Sequence, residues 1–399
     1  MDNILADTEC SYNYIGLGMD KHVEGKRLHP LLKWAGGKEQ ELKYIIPNLP
    51  EKFVDYYEPF VGGGSVYTAI QADNYYINDK SEELICLYNS ITNEDRPFFF
   101  KALDEIIHNW DLLTIIIIKN ATFFIQTYKK YSQGRIDDTK LKDILFEFVL
   151  THSDQFNGMF SAMFNYNIEN FVREINNNLV RKIKRMKQLE RIKDLLPDKD
   201  IVDNIETALK SAFYMHFRHI YNNTQKYKIT QPFKSAIFLF IRNFAYSGMF
   251  RYNSKGDFNV PYGGIGYNRK NILKKVDYLR SKELASLLHN TTIENLDFEE
   301  FLTKYHPTKD DFIFLDPPYD SEFNTYAKNE FTKTDQKRLA DYLLRKCEAK
   351  WMMIIKNTDF IFDLYANKGL VIKSFDKKYL VSFMNRNEKN AKHLIITNY

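Results

Sequence analysis

Asp316-Pro317-Pro318-Tyr319 places an acid, two ring-locked residues and an aromatic side chain in succession. The chemistry that suits this set is hydrogen bonding to an exocyclic amine on a flat ring. The Asp316 carboxylate and the Pro317 carbonyl can each accept a proton from an NH2 group, and Tyr319 can stack on the ring that carries it. Pro317 and Pro318 cannot continue a strand ladder, so the chain must turn there. The residues just before, Phe312-Ile313-Phe314-Leu315, read as a buried strand. The set is therefore presented at a strand's carboxyl end, where open α/β sheets bind ligands. Taken alone, the tetrapeptide could also be a structural proline turn.

Two further stretches supply what such a site needs. Residues 53–65 read as a strand running into Glu58-Pro59-Phe60, then a glycine turn through Gly62, Gly63, Gly64 and Ser65, with a helix expected over 66–71. Glycines remove side chains where a cofactor must lie against the backbone. The FxGxG spacing of Phe60, Gly62 and Gly64 is neither the GxGxxG of a dinucleotide site nor the GK[ST] ending of a phosphate loop. The cofactor expected is thus nucleoside-like and not held through a phosphate. A second strand, Tyr75-Tyr76-Ile77, ends at Asn78-Asp79, where an acid can hold both hydroxyls of a ribose or serve the helix that follows. Upstream, Lys33-Trp34-Ala35-Gly36-Gly37-Lys38 brackets small residues with lysines, which suits close approach to a ligand or a tight turn before a helix through Leu42 and Ile46.

Composition bounds the rest. The 399 residues allow one large or two domains. A net charge of +4 permits a polyanionic partner without requiring one. Cys10, Cys86 and Cys347 are too scattered for a disulfide framework or a zinc site, and no metal is expected. The acidic, polar amino terminus is unlike a signal peptide, and the apolar run 115–118 ends at Lys119, so no membrane association is expected. A reducing cytoplasm fits these features.

Glu58, FxGxG, Asp79 and DPPY, together with Lys33 to Lys38, resemble the Dam-type (alpha group, D12 class) DNA adenine-N6 methyltransferases. The order of motifs is also that of the family: cofactor motifs, a recognition region, then DPPY. The resemblance covers roughly 28–108 and 231–399, and is most specific in residues 244–253 and 256–263. It implies an α/β, Rossmann-like S-adenosylmethionine-dependent methyltransferase fold with a mainly helical DNA-recognition domain carrying a β-hairpin. The expected organisation is a tail at 1–27, a catalytic domain from 28–108 and 270–399, and a recognition domain at 109–269 with its hairpin at 246–263. The implied cofactor is S-adenosyl-L-methionine, leaving S-adenosyl-L-homocysteine, bound by Trp34, Ala35, Gly36, Lys38, residues 58–60, residues 62–65, Asp79, Asp297, Phe298 and Asp316. Asp297 is also placed to cap a helix continuing with Glu299 and Glu300.

The hairpin has its own logic. Asn253-Ser254-Lys255-Gly256 is turn chemistry between arms expected at 249–252 and 258–260. Such a ribbon can enter a major groove, where an arginine binds guanine O6 and N7. By resemblance Arg251 reads a guanine, Met249 and Pro261 make apolar base contacts, Tyr246 inserts where the target base leaves the stack, and Lys33 reaches a further guanine; Asn259 lies within the same motif. Ser247 stands where the family has asparagine, and Tyr262-Gly263-Gly264-Ile265 departs from the short Dam form, so GATC and other adenine-containing sites both remain open.

In the central block, seven basic residues from Arg181 to Lys193 lie in a helical pattern. They could neutralise phosphates along DNA, or form a solvated face behind Val180, Ile183, Met186, Leu189 and Ile192. His216 and His219 read as structural. Beyond DPPY, residues 323–332 resemble the family's loop beside the target base, a helix is expected from Thr334 to Leu344, and a closing hairpin with one arm at 381–387 and a tip at 385–392.

The activity implied is methyl transfer to N6 of a flipped-out adenine in double-stranded DNA, by a monomer with a cognate restriction endonuclease as a candidate partner. Two other readings use the same residues. One is an N4-cytosine DNA methyltransferase, for which SPPY is the more usual motif; the other is a DNA-binding module that keeps the fold without catalysing. An RNA or protein-glutamine methyltransferase would more often carry asparagine in place of Asp316. A cytosine-C5 enzyme is excluded by the lack of a Pro-Cys dipeptide.

Overall fold

The computed structural model describes residues 28–34, 36–158, 166–319, 331–378 and 390–399. The expected tail, Ala35, most of the loop at 323–332 and the 381–387 arm lie outside the described residues.

Alternating apolar residues build a sheet that is covered on both faces. In β4 (Phe312–Leu315) every residue is buried; Phe312 and Phe314 join one apolar cluster, Ile313 and Leu315 the other. β5 (Lys350–Lys356) divides the same way, with Met352 and Ile354 on one face and Trp351, Met353 and Ile355 on the other. Strands buried on both faces are the mark of a parallel sheet. The remaining strands are β1 (Tyr56–Glu58), β2 (Tyr75–Asn78), β3 (Thr291–Glu294), β6 (Val371–Lys378) and β7 (Asn390–Thr397). The seven-stranded order is β3-β2-β1-β4-β5-β7-β6, parallel except for β7, which is antiparallel to both neighbours. The strand order reverses between β1 and β4, which opens a crevice at their carboxyl ends.

β2 and β3 are hydrogen-bonded neighbours, yet residues 79–290 lie between them. This crossover holds the long helices Arg96–Lys119, Ile168–Glu190, Asp198–Asn222 and Gln231–Phe244. Their buried residues are continuous with the sheet face that carries Phe312 and Phe314.

Four expectations change. The helix over 66–71 shrinks to one 3-10 turn, Tyr67–Ala69. The Tyr75 hydroxyl accepts the Ala72 N–H (2.9 Å) and donates to the Ile70 carbonyl (3.1 Å), taking groups a longer helix would have used. The hairpin arms form no continuous ladder; they meet at the bridges Tyr252 to Phe258 and Ala245 to Tyr262. Asn222 takes both the Phe258 N–H and its carbonyl, and Tyr214 and Arg218 both donate to the Val260 carbonyl. In the closing hairpin β6 pairs with β7, and Asn390 to Lys392 lie in β7, not in a tip. Finally, Ile192 is 81% exposed, not in the core, because its helix stops at Glu190, whose carboxylate caps the Leu196 N–H at 2.9 Å.

Candidate active site

A cleft of about 530 Å3 opens at the carboxyl ends of β1, β2 and β4. The structure brings into it all four DPPY residues, together with Trp34, Gly36, Lys38, Glu58, Pro59, Phe60, Gly62, Gly63, Ser65, Asp79, Asp297 and Phe298. Gly64 lies behind the wall at φ +81°, where an added Cβ would come within 2.6 Å of the Tyr88 hydroxyl. At Gly63 a Cβ would meet the Leu32 carbonyl at 2.2 Å, so the KWAGGK segment can lie against the glycine turn only because that side chain is missing.

The floor is electrostatically organised. Lys38 is 2% exposed, and its ammonium sits 2.5 Å from each Asp316 oxygen and 2.8 Å from the Gly36 carbonyl. Beside them, Glu58 is fully enclosed. Burial pushes its carboxyl well above the usual range, the Tyr56 hydroxyl donates to it at 2.7 Å and lowers it in part, and Asp316 raises it further. Burial and the neighbouring Asp316 thus both favour the protonated form of Glu58, against the Tyr56 hydroxyl and Lys38, which favour the carboxylate. Asp79 spans two segments, accepting the Gly62 N–H at 2.9 Å and the Ser81 N–H at 2.8 Å. Burial lifts its carboxyl to about 6 against these two bonds.

Phe60, Phe298 and Phe331 pack ring to ring at 5.5–5.8 Å and form the cleft's apolar wall. Asp297 lines the cleft and also caps a helix: its carboxylate accepts the Glu299 N–H at 3.0 Å in a capping box with Glu300 and pairs with Arg338 at 2.7 Å. The expected helix cap is thus formed by a residue that also lines the cleft.

Tyr319 is fixed from behind. His393, fully buried on β7, meets its hydroxyl at 3.1 Å. The buried Gln336 donates to the Pro318 carbonyl at 2.9 Å. Neither residue was singled out in the sequence. Gln336 falls within the helix expected from Thr334 to Leu344.

The expected DNA-reading residues gather on the loop after the Gln231–Phe244 helix. The Tyr246 N–H donates to the Pro261 carbonyl at 2.9 Å, closing the loop, and the Tyr246 ring is half exposed. Ser247 holds a left-handed φ of +52°, a conformation in which asparagine is the more tolerant side chain. Met249 is half-buried, while Arg251 is exposed and donates from Nε to Asn259 Oδ1 at 3.1 Å. Lys33 is exposed, and its carbonyl accepts from Arg242 at 2.6 Å. Arg242 is a further residue the sequence reading missed, although a lone arginine directly after the apolar run 236–241 was a usable signal. Its guanidinium lies over Phe250 (4.4 Å) and Trp34 (5.1 Å), joining the loop to the cleft wall, and burial lowers it to about 10. His216 packs against Asn170 and His219 against Tyr227; burial pushes His216 down to about 3, so it is neutral. Among the described residues no group of acids, cysteines and histidines could hold a metal, and no helix is long and apolar enough to cross a membrane.

A mostly parallel sheet with this crevice, a glycine turn and an amine-accepting DPPY corner defines a methyltransferase of the S-adenosylmethionine-dependent class. The D12 class N6 adenine-specific DNA methyltransferase model matches residues 34–204 and 192–381, and the chain belongs to that family. The type II methyltransferase M.CviBI of Paramecium bursaria Chlorella virus NC1A is 25% identical, across 93% of this chain and 100% of its own length. The type II methyltransferase M.MjaIII of Methanocaldococcus jannaschii is 27% identical across 93% and 99%. The DNA adenine methylase of Haemophilus influenzae is 32% identical over 42% of this chain and 58% of its own length. The chain is a DNA adenine-N6 methyltransferase.

Proposed function

We propose that the cleft holds S-adenosyl-L-methionine along the glycine turn and presents a flipped adenine to it at the DPPY corner. The residues fit that cofactor: the volume suits a nucleoside-sized ligand. Asp79 stands at the second strand's end for the ribose hydroxyls, the phenylalanine wall with Asp297 and Phe298 suits an adenine ring, and the missing Cβ at Gly63 keeps the turn close. When bound, the cofactor supplies an electrophilic methyl group on sulfur.

The observation that carries the reading is the Lys38–Asp316 pair. The ammonium donates to both carboxylate oxygens, so it occupies the acceptors that an exocyclic amine needs. A target adenine, which must leave the duplex to expose N6, takes over at least one of them and the Pro317 carbonyl while its ring rests on Tyr319. These acceptors draw the N6 lone pair out of conjugation and orient it, so the gain comes from positioning and fixed dipoles. His393 and Gln336 keep Tyr319 and the second proline in place while this happens.

The loop carrying Tyr246, Ser247, Met249, Arg251, Asn259 and Pro261 reads the duplex, with residues 28–108 and 270–399 as the catalytic unit and 109–269 as the recognition unit. We propose further that the chain acts as a monomer, with a cognate restriction endonuclease as a candidate partner. The test is incubation with S-adenosyl-L-methionine and unmethylated genomic DNA, followed by mapping of modified bases. N6-methyladenine at one short motif is expected. N4-methylcytosine, or no modified base with the cofactor bound, would overturn the assignment of the corner.

A further inference from the structure

A second groove, a trough of about 1430 Å3, lies between the helices Ile168–Glu190 and Asp198–Asn222, and its lining includes Pro261 and Gly264 of the loop. Its basic wall is the run from Arg181 to Arg185. Ile183 and Met186 on the same helix are buried, so the apolar stripe and the basic face coexist there. Lys184 is taken by Asp138. Arg181 and Arg185, both exposed, donate to the neutral amides of Asn178 and Gln188, and among the described residues neither forms an ion pair with an acid. Lys182, between them and half-buried, has its ammonium lowered by burial and then by Arg181, a crowding that an incoming anion would relieve. Two acids, Asp143 and Glu174, and two further cations, Lys142 and Arg218, also line the trough, whose densest positive charge is the segment 181–185. Arg218 leaves the trough wall to hold the Val260 carbonyl at 3.0 Å, linking groove and loop through one side chain.

We propose that this groove carries the phosphate backbone of the same duplex, beyond the base pairs read by the loop, with Arg181, Lys182 and Arg185 as its phosphate contacts. The inference rests on the reading of the loop as a DNA reader. The partner is double-stranded DNA because the groove is continuous with that loop, and because a helix of 23 residues is about 35 Å long, close to one turn of B-DNA. Such contacts hold register without reading sequence.

The test uses the full chain and the triple substitution Arg181→Gln, Lys182→Gln, Arg185→Gln. Binding is measured to duplexes of about one and about three helical turns that carry the mapped motif, over a range of salt. The unaltered protein is expected to prefer the longer duplex. The variant should lose that preference, bind the longer duplex at least about tenfold more weakly, and show a log affinity against log salt slope smaller by about 2.7, about 0.9 for each lost phosphate contact. Its melting temperature, its motif and its kcat at saturating DNA should not move. An unchanged slope and length preference, with methylation intact, overturns the groove assignment alone. A change of oligomeric state in place of DNA affinity does the same and makes the trough a protein interface. If the unaltered protein neither binds nor methylates DNA, the reading of the loop falls first and this inference with it.

Discussion

The cleft and the recognition loop are held in opposite ways. In the cleft, polar side chains are tied to one another or to nearby backbone inside the protein: Lys38 to Asp316, Glu58 to Tyr56, Asp79 to Gly62 and Ser81. In the loop, the backbone is tied down, by Asn222, Tyr214 and Arg218, and the side chains that would meet DNA are left outside. A group that must meet a reacting atom within a fraction of an ångström needs its own rotamer fixed. A group that must fit a groove needs only a fixed point of attachment, and can be exchanged without disturbing the fold.

The strongest way to break this contrast is Asp316→Ala. Turnover should fall by about 10^3-fold or more, while cofactor affinity changes by less than about tenfold. Methyl incorporation and calorimetry on the folded fraction check both, and near-normal turnover would remove the cleft from the chemistry. Next is Arg251→Ala. Stability should stay within about 0.5 kcal/mol, while discrimination at one guanine position weakens by about 1–3 kcal/mol, or roughly 10–100-fold. Rates on duplexes substituted at each position measure this; a loss uniform across sequences would make Arg251 a phosphate contact.

The smallest expected effect is a pH dependence confined to the cleft. With Asp79 near 6, the carboxylate that would accept the ribose hydroxyls is lost as pH falls, so cofactor affinity should drop about tenfold between pH 7 and 5. Between about pH 4 and 6 the folded chain holds a proton here that the unfolded chain has released, because burial raises this carboxyl. This group's unfavourable contribution to folding is therefore full above pH 6 and fades as pH falls towards 4. Cofactor titration by calorimetry at each pH checks the first point, and a flat profile would take Asp79 out of the binding site.

How much could be read in advance follows from what each residue's role depends on. β4 and its proline corner were legible because four apolar residues and two prolines fix their structure locally. The FxGxG turn was legible for the same reason, since missing side chains are visible in a sequence. β6 was not, because it is the sheet's edge and carries Lys373, Asp376, Lys377 and Lys378 in place of an apolar run, as edge strands do. The loop arms were placed correctly, but their missing ladder depended on Asn222, 36 residues from Phe258 in sequence. Gln336, His393 and Arg242 act only through what the fold brings to them, 18, 74 and 209 residues away.

The placement of residues 79–290 between two neighbouring strands also sets an order of events as the chain folds. β2 cannot meet β3, nor β1 meet β4, until the whole helical region has been made. The helices need only nearby partners, and structure built from local contacts forms faster than pairings that close long loops. The helical region is therefore expected to assemble first and to serve as the surface on which the sheet condenses. Pulse-labelled hydrogen exchange during refolding should find amides of the Asp198–Asn222 helix protected before those of β1 and β4, and simultaneous protection would contradict it. For an enzyme made in a cell full of DNA, that order makes the catalytic cleft the last thing to appear.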